Sequence, residues 1–137
     1  MGDAMFSVSA RTQYAIRAMA HLAGGEGHGA TSAEIASAEG IPAKYLEGIM
    51  SRLKLSGLVE SERGKHGGYR MIGEPEDISM LSIVEAMDGS VKPVNCVDAV
   101  GTCSQGNGCL PRQFWIGLKK AIDNYLEEHT LKDVTEG

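Results

Sequence analysis

Thr31-Ser-Ala-Glu-Ile-Ala-Ser-Ala-Glu-Gly40-Ile-Pro-Ala-Lys-Tyr-Leu-Glu-Gly-Ile-Met50-Ser-Arg-Leu-Lys-Leu-Ser-Gly57 carries the punctuation of two helices and the turn between them. Thr31 is a helix-capping residue, and Glu34 three positions later completes a capping box. Ile35 and Ala36 face inward on this short first helix. Gly40 suits the left-handed residue that ends a helix. Ile41 packs in the turn, and Pro42 opens the next helix with its φ already set. Leu46, Ile49, Met50 and Leu53 recur at helical spacing as a buried stripe, and Gly57 stops the run. A short helix, a tight glycine-containing turn and a longer helix predict a helix-turn-helix.

The segments on either side agree with that reading. Upstream, residues 11–23 place Ala15, Met19 and Leu22 on one helical face, with Ile16 and Ala23 beside it. Gly24, Gly25, Gly27 and Gly29 then predict a loop. Downstream the period changes. Leu58-Val-Glu-Ser61 is strand-like, residues 63–68 (Arg-Gly-Lys-His-Gly-Gly) form a turn, and Tyr69-Arg-Met-Ile72 returns. A hairpin after a helix-turn-helix is the wing of a winged helix. Residues 79–87 predict another helix ending near Gly89. A long helix follows from Pro111 to about His129, and Thr130 caps a final short turn.

The second helix of a helix-turn-helix touches base edges with its N-terminal residues. Lys44, Tyr45, Glu47 and Gly48 lie off the core stripe and are free to face a groove. Glu47 can accept from a cytosine amino group and repels phosphate where it finds none. Tyr45 serves equally well as half-buried support. Arg52 and Lys54 are phosphate-contact candidates. The turn of the hairpin carries Arg63, Lys65 and His66 among glycines, where an arginine can enter a narrow minor groove. Arg11 and Arg70 are further backbone-contact candidates. The net charge of −5 is no obstacle. Eight Lys/Arg meet seven Asp/Glu in residues 1–71, whereas five meet eleven in residues 72–137, so the acid sits in the second half. Local clustering of cations governs nucleic-acid binding more than the total.

Cys96, Cys103 and Cys109 are the only cysteines, spaced C-x6-C-x5-C in a glycine-rich stretch. An odd count does not close a disulfide framework. Three thiolates on one loop suit an iron–sulfur cluster, zinc or copper(I). Zinc sites usually pair cysteines at C-x2-4-C with four protein ligands, a spacing absent here. A metal-free thiol switch and inert structural thiols are the other readings. The long helix carries a stripe of Phe114, Trp115, Leu118, Ile122, Tyr125 and Leu126 with little chain left to cover it. The matching helix of a second copy is the natural cover, so a homodimer is expected. No catalytic triad, phosphate loop or carboxylate pair stands out, and no enzyme activity is expected. No apolar run is long enough to cross a membrane. The start lacks the basic and apolar regions of a signal peptide, so a cytoplasmic chain is expected.

The residues together resemble the Rrf-two superfamily of bacterial winged-helix regulators. The matching pieces are Thr12-Gln-Tyr-Ala-Ile-Arg-Ala-Met19, Ile41-Pro-Ala-Lys-Tyr-Leu-Glu47, Leu53-Lys-Leu-Ser-Gly-Leu-Val59, Arg63-Gly-Lys-His-Gly-Gly-Tyr69 and Ile83-Val-Glu-Ala-Met-Asp88. The resemblance covers nearly all residues from Met5 to about Val134. It implies a mainly α fold with a small β-hairpin: a winged helix-turn-helix DNA-binding domain over residues 5–90, a cysteine-rich loop over 91–110, and a dimerisation helix with a C-terminal turn over 111–134. It implies a homodimer on double-stranded DNA, with an iron–sulfur cluster on Cys96, Cys103 and Cys109 in each subunit, either [2Fe–2S] or [4Fe–4S]. It matches Glu47 to a residue that tunes site choice and Arg63 to the wing arginine. Two positions depart from the pattern. The first cysteine spacing is x6 where IscR-like and NsrR-like members have x5. Arg112 stands where IscR-like members place a ligating histidine, and Gln13 where NsrR-like members place an acidic ligand. Arginine has no lone pair to offer a metal, and Asp98 is merely a nearby oxygen donor. The alternative function is a cluster-free regulator of the same fold, switched by thiol oxidation or by a bound metabolic enzyme.

Overall fold

A computed structural model describes residues 8–62, 68–89 and 110–136. The chain runs α1 (Ala10–Gly24), a 3-10 turn (Glu26–His28), β1 (Gly29–Ala30), α2 (Ser32–Glu39), α3 (Ala43–Leu55), β2 (Val59–Glu62), β3 (Gly68–Met71), a 3-10 turn (Pro75–Asp77), α4 (Met80–Asp88), α5 (Leu110–Glu128) and α6 (Leu131–Glu136).

The helix-turn-helix forms where its local signals place it. Thr31 Oγ1 accepts from Glu34 N at 3.1 Å, and the Glu34 carboxylate accepts from Thr31 N at 2.8 Å, so both arms of the capping box are made. Gly40 ends α2 at φ 67°, ψ 35°, a left-handed geometry open to a residue without Cβ. Pro42 caps α3 through its carbonyl, which accepts from Leu46 N at 2.9 Å. Leu46, Ile49, Met50 and Leu53 are all buried. They join Ala15, Ala18, Met19 and Leu22 of α1, Ile35 of α2 and Ile83 and Met87 of α4 in one core. At about 25 cal/mol per Å² of apolar surface removed from water, this shared burial is the main force holding α3 against its neighbours.

The sheet has three strands, in the order β1-β3-β2, all antiparallel. Gly29–Ala30, expected as loop, is the additional strand, paired Gly29 with Arg70 and Ala30 with Tyr69. A Cβ on Gly68 would lie 2.8 Å from the Ala30 carbonyl oxygen. That glycine lets the base of the wing close onto the chain entering α2. The last turn also folds back. Leu131 N donates to Ile78 O at 2.8 Å, Met80 N donates to His129 O at 2.9 Å, and Leu131 is fully buried in the core of the first four helices. α6 therefore packs on α1 instead of prolonging α5.

Candidate nucleic-acid interface

α3 divides its residues between two environments. Its apolar stripe is buried, whereas Lys44, Tyr45, Glu47, Gly48, Ser51, Arg52 and Lys54 are exposed. The exposed N-terminal half opens onto a shallow groove of about 640 Å³ lined by Arg11, Pro42, Lys44, Tyr45, Gly48, Ile49 and Arg52. Tyr45 is 49% exposed and stands edge-on to the ring of Tyr14, centroids 5.6 Å apart. The Arg17 guanidinium lies 5.7 Å from the Tyr14 ring. α1 thus braces one side of Tyr45, and its other side remains exposed. Gly48 sits in the helix interior with helical backbone, and a Cβ there would meet nothing within 4 Å. A glycine in such a place costs about 1 kcal/mol of helix stability relative to alanine.

The last turn of α4 holds the arginines of this groove. Arg52 Nε donates to Ala86 O at 3.2 Å, so its stem is pinned while the rest of the guanidinium borders the groove. Arg11 pairs with Asp88 at 3.5 Å. Arg70 is paired with Glu60, which reduces its availability to phosphate. Asp88 also receives the Thr12 hydroxyl at 2.6 Å and lies 2.8 and 3.0 Å from Ser9 Oγ, the N-cap of α1. Thr12 is fully buried, and a carboxylate at a helix N-terminus complements the dipole. Burial alone would raise the Asp88 carboxyl, but hydrogen bonds from Thr12, Ser9 and Arg11 outweigh it and hold the pKa below the usual aspartate value.

This latch joins residues 76 apart and had no signature in the sequence beyond Ser9 and Thr12 at a helix start. Asp88→Asn should lower unfolding stability by about 1 kcal/mol at neutral pH, since hydrogen bonds to charged groups exceed neutral ones. A lowered carboxylate pKa contributes stability that is complete above the unfolded value near 4 and lost as pH falls through the folded value. Denaturant midpoints of the two proteins should therefore differ at pH 7 and converge below about pH 4. A gap that persists undiminished at pH 3 would remove the ionic contribution.

The other expected site residues divide in two. Arg63, Lys65 and His66 of the wing and Cys96, Cys103 and Cys109 lie outside the described residues, as does Asp98. Among the described residues no group of three His, Cys, Asp or Glu is disposed to hold a metal. The Gln13 amide donates to Val8 O at 3.0 Å. Arg112 is buried, at 7% exposure, in the first turn of α5. On α5, Phe114 and Tyr125 are exposed, and Trp115, Leu118 and Ile122 are half-buried. Leu126 reaches the core. Phe114 and Trp115 meet edge to face at 5.0 Å. No helix among the described residues is long and apolar enough to cross a membrane.

A helix-turn-helix with a three-stranded wing sheet and an exposed recognition face defines a winged-helix DNA-binding protein. The chain belongs to the Rrf2 family, described as iron-dependent transcriptional regulators, whose model matches residues 8–137. It is similar to the HTH-type transcriptional regulator IscR of Yersinia pestis, 34% identical over 128 residues, covering 93% of this chain and 77% of that one. Its fold is similar to that of CymR, the global cysteine regulator of B. subtilis, with TM-score 0.79, 29% identity and coverage of 96% and 97%. It is also similar to T. potens IscR, with TM-score 0.76, 31% identity and coverage of 96% and 87%. The protein is a DNA-binding transcriptional regulator, and its relatives are regulators, not enzymes.

Proposed function

We propose that this protein is a cytoplasmic homodimer that binds double-stranded DNA sequence-specifically, with a grip set by an iron–sulfur cluster on Cys96, Cys103 and Cys109. The observation that carries the DNA reading is the division of α3 into a fully buried stripe and an exposed face carrying Lys44, Tyr45 and Glu47. Lys44, Tyr45 and Glu47 read base edges in the major groove, and Arg52 contacts phosphate. Arg63 enters the minor groove, with Lys65 and His66 beside it. Phosphate contacts position the protein and base contacts specify the site.

Phe114, Trp115, Leu118, Ile122 and Tyr125 supply the face on which α5 crosses its twin, and the two half-sites lie about 34 Å apart. Three thiolates supply most of the donor set that an iron–sulfur cluster takes, and the family description as iron-dependent supports the cluster. When bound, the cluster supplies an iron open to oxygen, nitric oxide or loss. The route from the cysteine segment to DNA is the last turn of α4. It leads directly into residues 90–109, and it holds Arg52 through Ala86 O and Arg11 through Asp88. A coupling of only about 1–3 kcal/mol switches occupancy 5–150-fold.

A second reading has one observation in its favour. Arg112 stands three residues beyond Cys109 and has no lone pair to offer a metal. On that reading the cysteines respond to oxidation, or a bound metabolic enzyme supplies the signal, without a cluster.

Arg63→Ala tests the wing. At fixed salt it should weaken binding to a selected duplex roughly fivefold or more, equivalent to about 1–3 kcal/mol. Unchanged affinity in a gel-shift titration would remove the wing from the interface.

A further inference from the structure

Gly48 is the residue of the recognition helix that the protein's own architecture does not require. Glycine is needed inside a protein for a positive φ or for the close approach of another part of the chain. Gly48 has neither: its backbone is helical, and a Cβ would find open space. The position nevertheless carries the helix-propensity penalty given above. The remaining physical reason for a bare backbone is the close approach of something outside the chain.

Its place on the helix says what approaches. Gly48 lies four residues after Lys44 and four before Arg52, so the three share one face. It lines the groove with both of them, with Pro42, and with Tyr45 and Ile49. The missing side chain leaves an open notch between Lys44 and Arg52, in a groove that Arg11, Pro42, Tyr45 and Ile49 also line. The major groove offers one apolar projection, the thymine C5-methyl, and apolar protein surfaces recognise it by contact.

We infer that Gly48 is a specificity-determining residue, and that its notch seats the C5-methyl of a thymine against the helix backbone. The inference rests on the reading of α3 as the recognition helix and adds a named base and a named contact to it. A side chain at position 48 would occupy the methyl's place and hold the helix away from the base edges. Lys44 and Glu47 would lose reach along with it.

The experiment uses the full chain and a duplex selected by the wild-type protein from a random library. Gly48→Ala should unfold about 3 °C higher than wild type, since it gains helix propensity, yet bind the selected duplex at least tenfold more weakly. Its affinity for an unselected duplex at the same salt should not change. Replacing thymines one at a time by uracil, which lacks only the methyl, should weaken the wild type about five- to tenfold at one position per half-site. The same replacement should leave Gly48→Ala unaffected. Three outcomes overturn the inference: equal affinity of the two proteins for the selected duplex, equal losses on selected and unselected duplexes (a phosphate seat), or no sensitivity to uracil at any position. A wild-type protein that enriches no sequence overturns the interface reading itself, and the Gly48 assignment falls with it.

Discussion

Cys103→Ser is expected to reduce the iron and acid-labile sulfide of anaerobically prepared protein from cluster stoichiometry to background, and to abolish the brown visible absorption. Cys103 is the middle of the three thiols, separated from Cys96 by six residues and from Cys109 by five. Loss of the central donor leaves two thiolates thirteen positions apart in the chain. Serine oxygen is a poor substitute, since soft thiolates are what bind iron–sulfur clusters. The change is all-or-none in the spectrum, which makes it the largest effect expected here. Wild-type protein that stays colourless and sulfide-free after reconstitution would contradict the cluster. The thiol-switch reading then makes a different prediction for the same variant. Oxidant would change the DNA affinity of the wild type but not that of Cys103→Ser.

The second large effect is on stability. Leu53→Ala should lower unfolding stability by about 2–5 kcal/mol, out of a total on the order of 5–15 kcal/mol for a domain of this kind. Leu53 is fully buried. It lies in the core on α3, which packs against α1, α2, α4 and β2, so α3 cannot shift to fill the cavity without disturbing its packing on these elements. The Leu53 carbonyl also accepts from Leu58 N at 3.0 Å at the exit of the helix, so relaxation there disturbs the start of the wing. Thermal midpoint should fall on the order of 10 °C. The adjacent exposed Lys54→Ala serves as control and should change stability by no more than about 0.5 kcal/mol. A loss for Leu53→Ala no larger than the control would mean that the packing around α3 is looser than its burial indicates.

The helix-turn-helix was legible because its determinants are local. The capping box spans four residues, the left-handed turn needs one glycine, and the buried stripe repeats within one helix. Each acts through neighbours in the chain, and each appears in the structure at the expected residues. The strand at Gly29–Ala30 was not legible. Two small residues have no period, and their strand character comes from pairing with Tyr69 and Arg70. The Arg52 position was legible as exposed cation but not as a side chain tied to Ala86 O, an acceptor 34 residues away. Gly48 was visible as a groove-facing residue. Its significance emerged only when the space around it proved empty.

The amino-acid order by itself settled which segments are helices, where the turn falls and which face of α3 is free, since short-range hydrogen bonds and hydrophobic period act within a few residues. The three-dimensional arrangement alone decided that α6 returns to the first core, that Asp88 at the end of α4 accepts from Ser9 and Thr12 at the start of α1, and that two groove arginines are anchored on that same turn. These are contacts between residues far apart in the chain. They form only once the apolar faces have packed, because it is that packing which brings the polar partners within hydrogen-bonding distance.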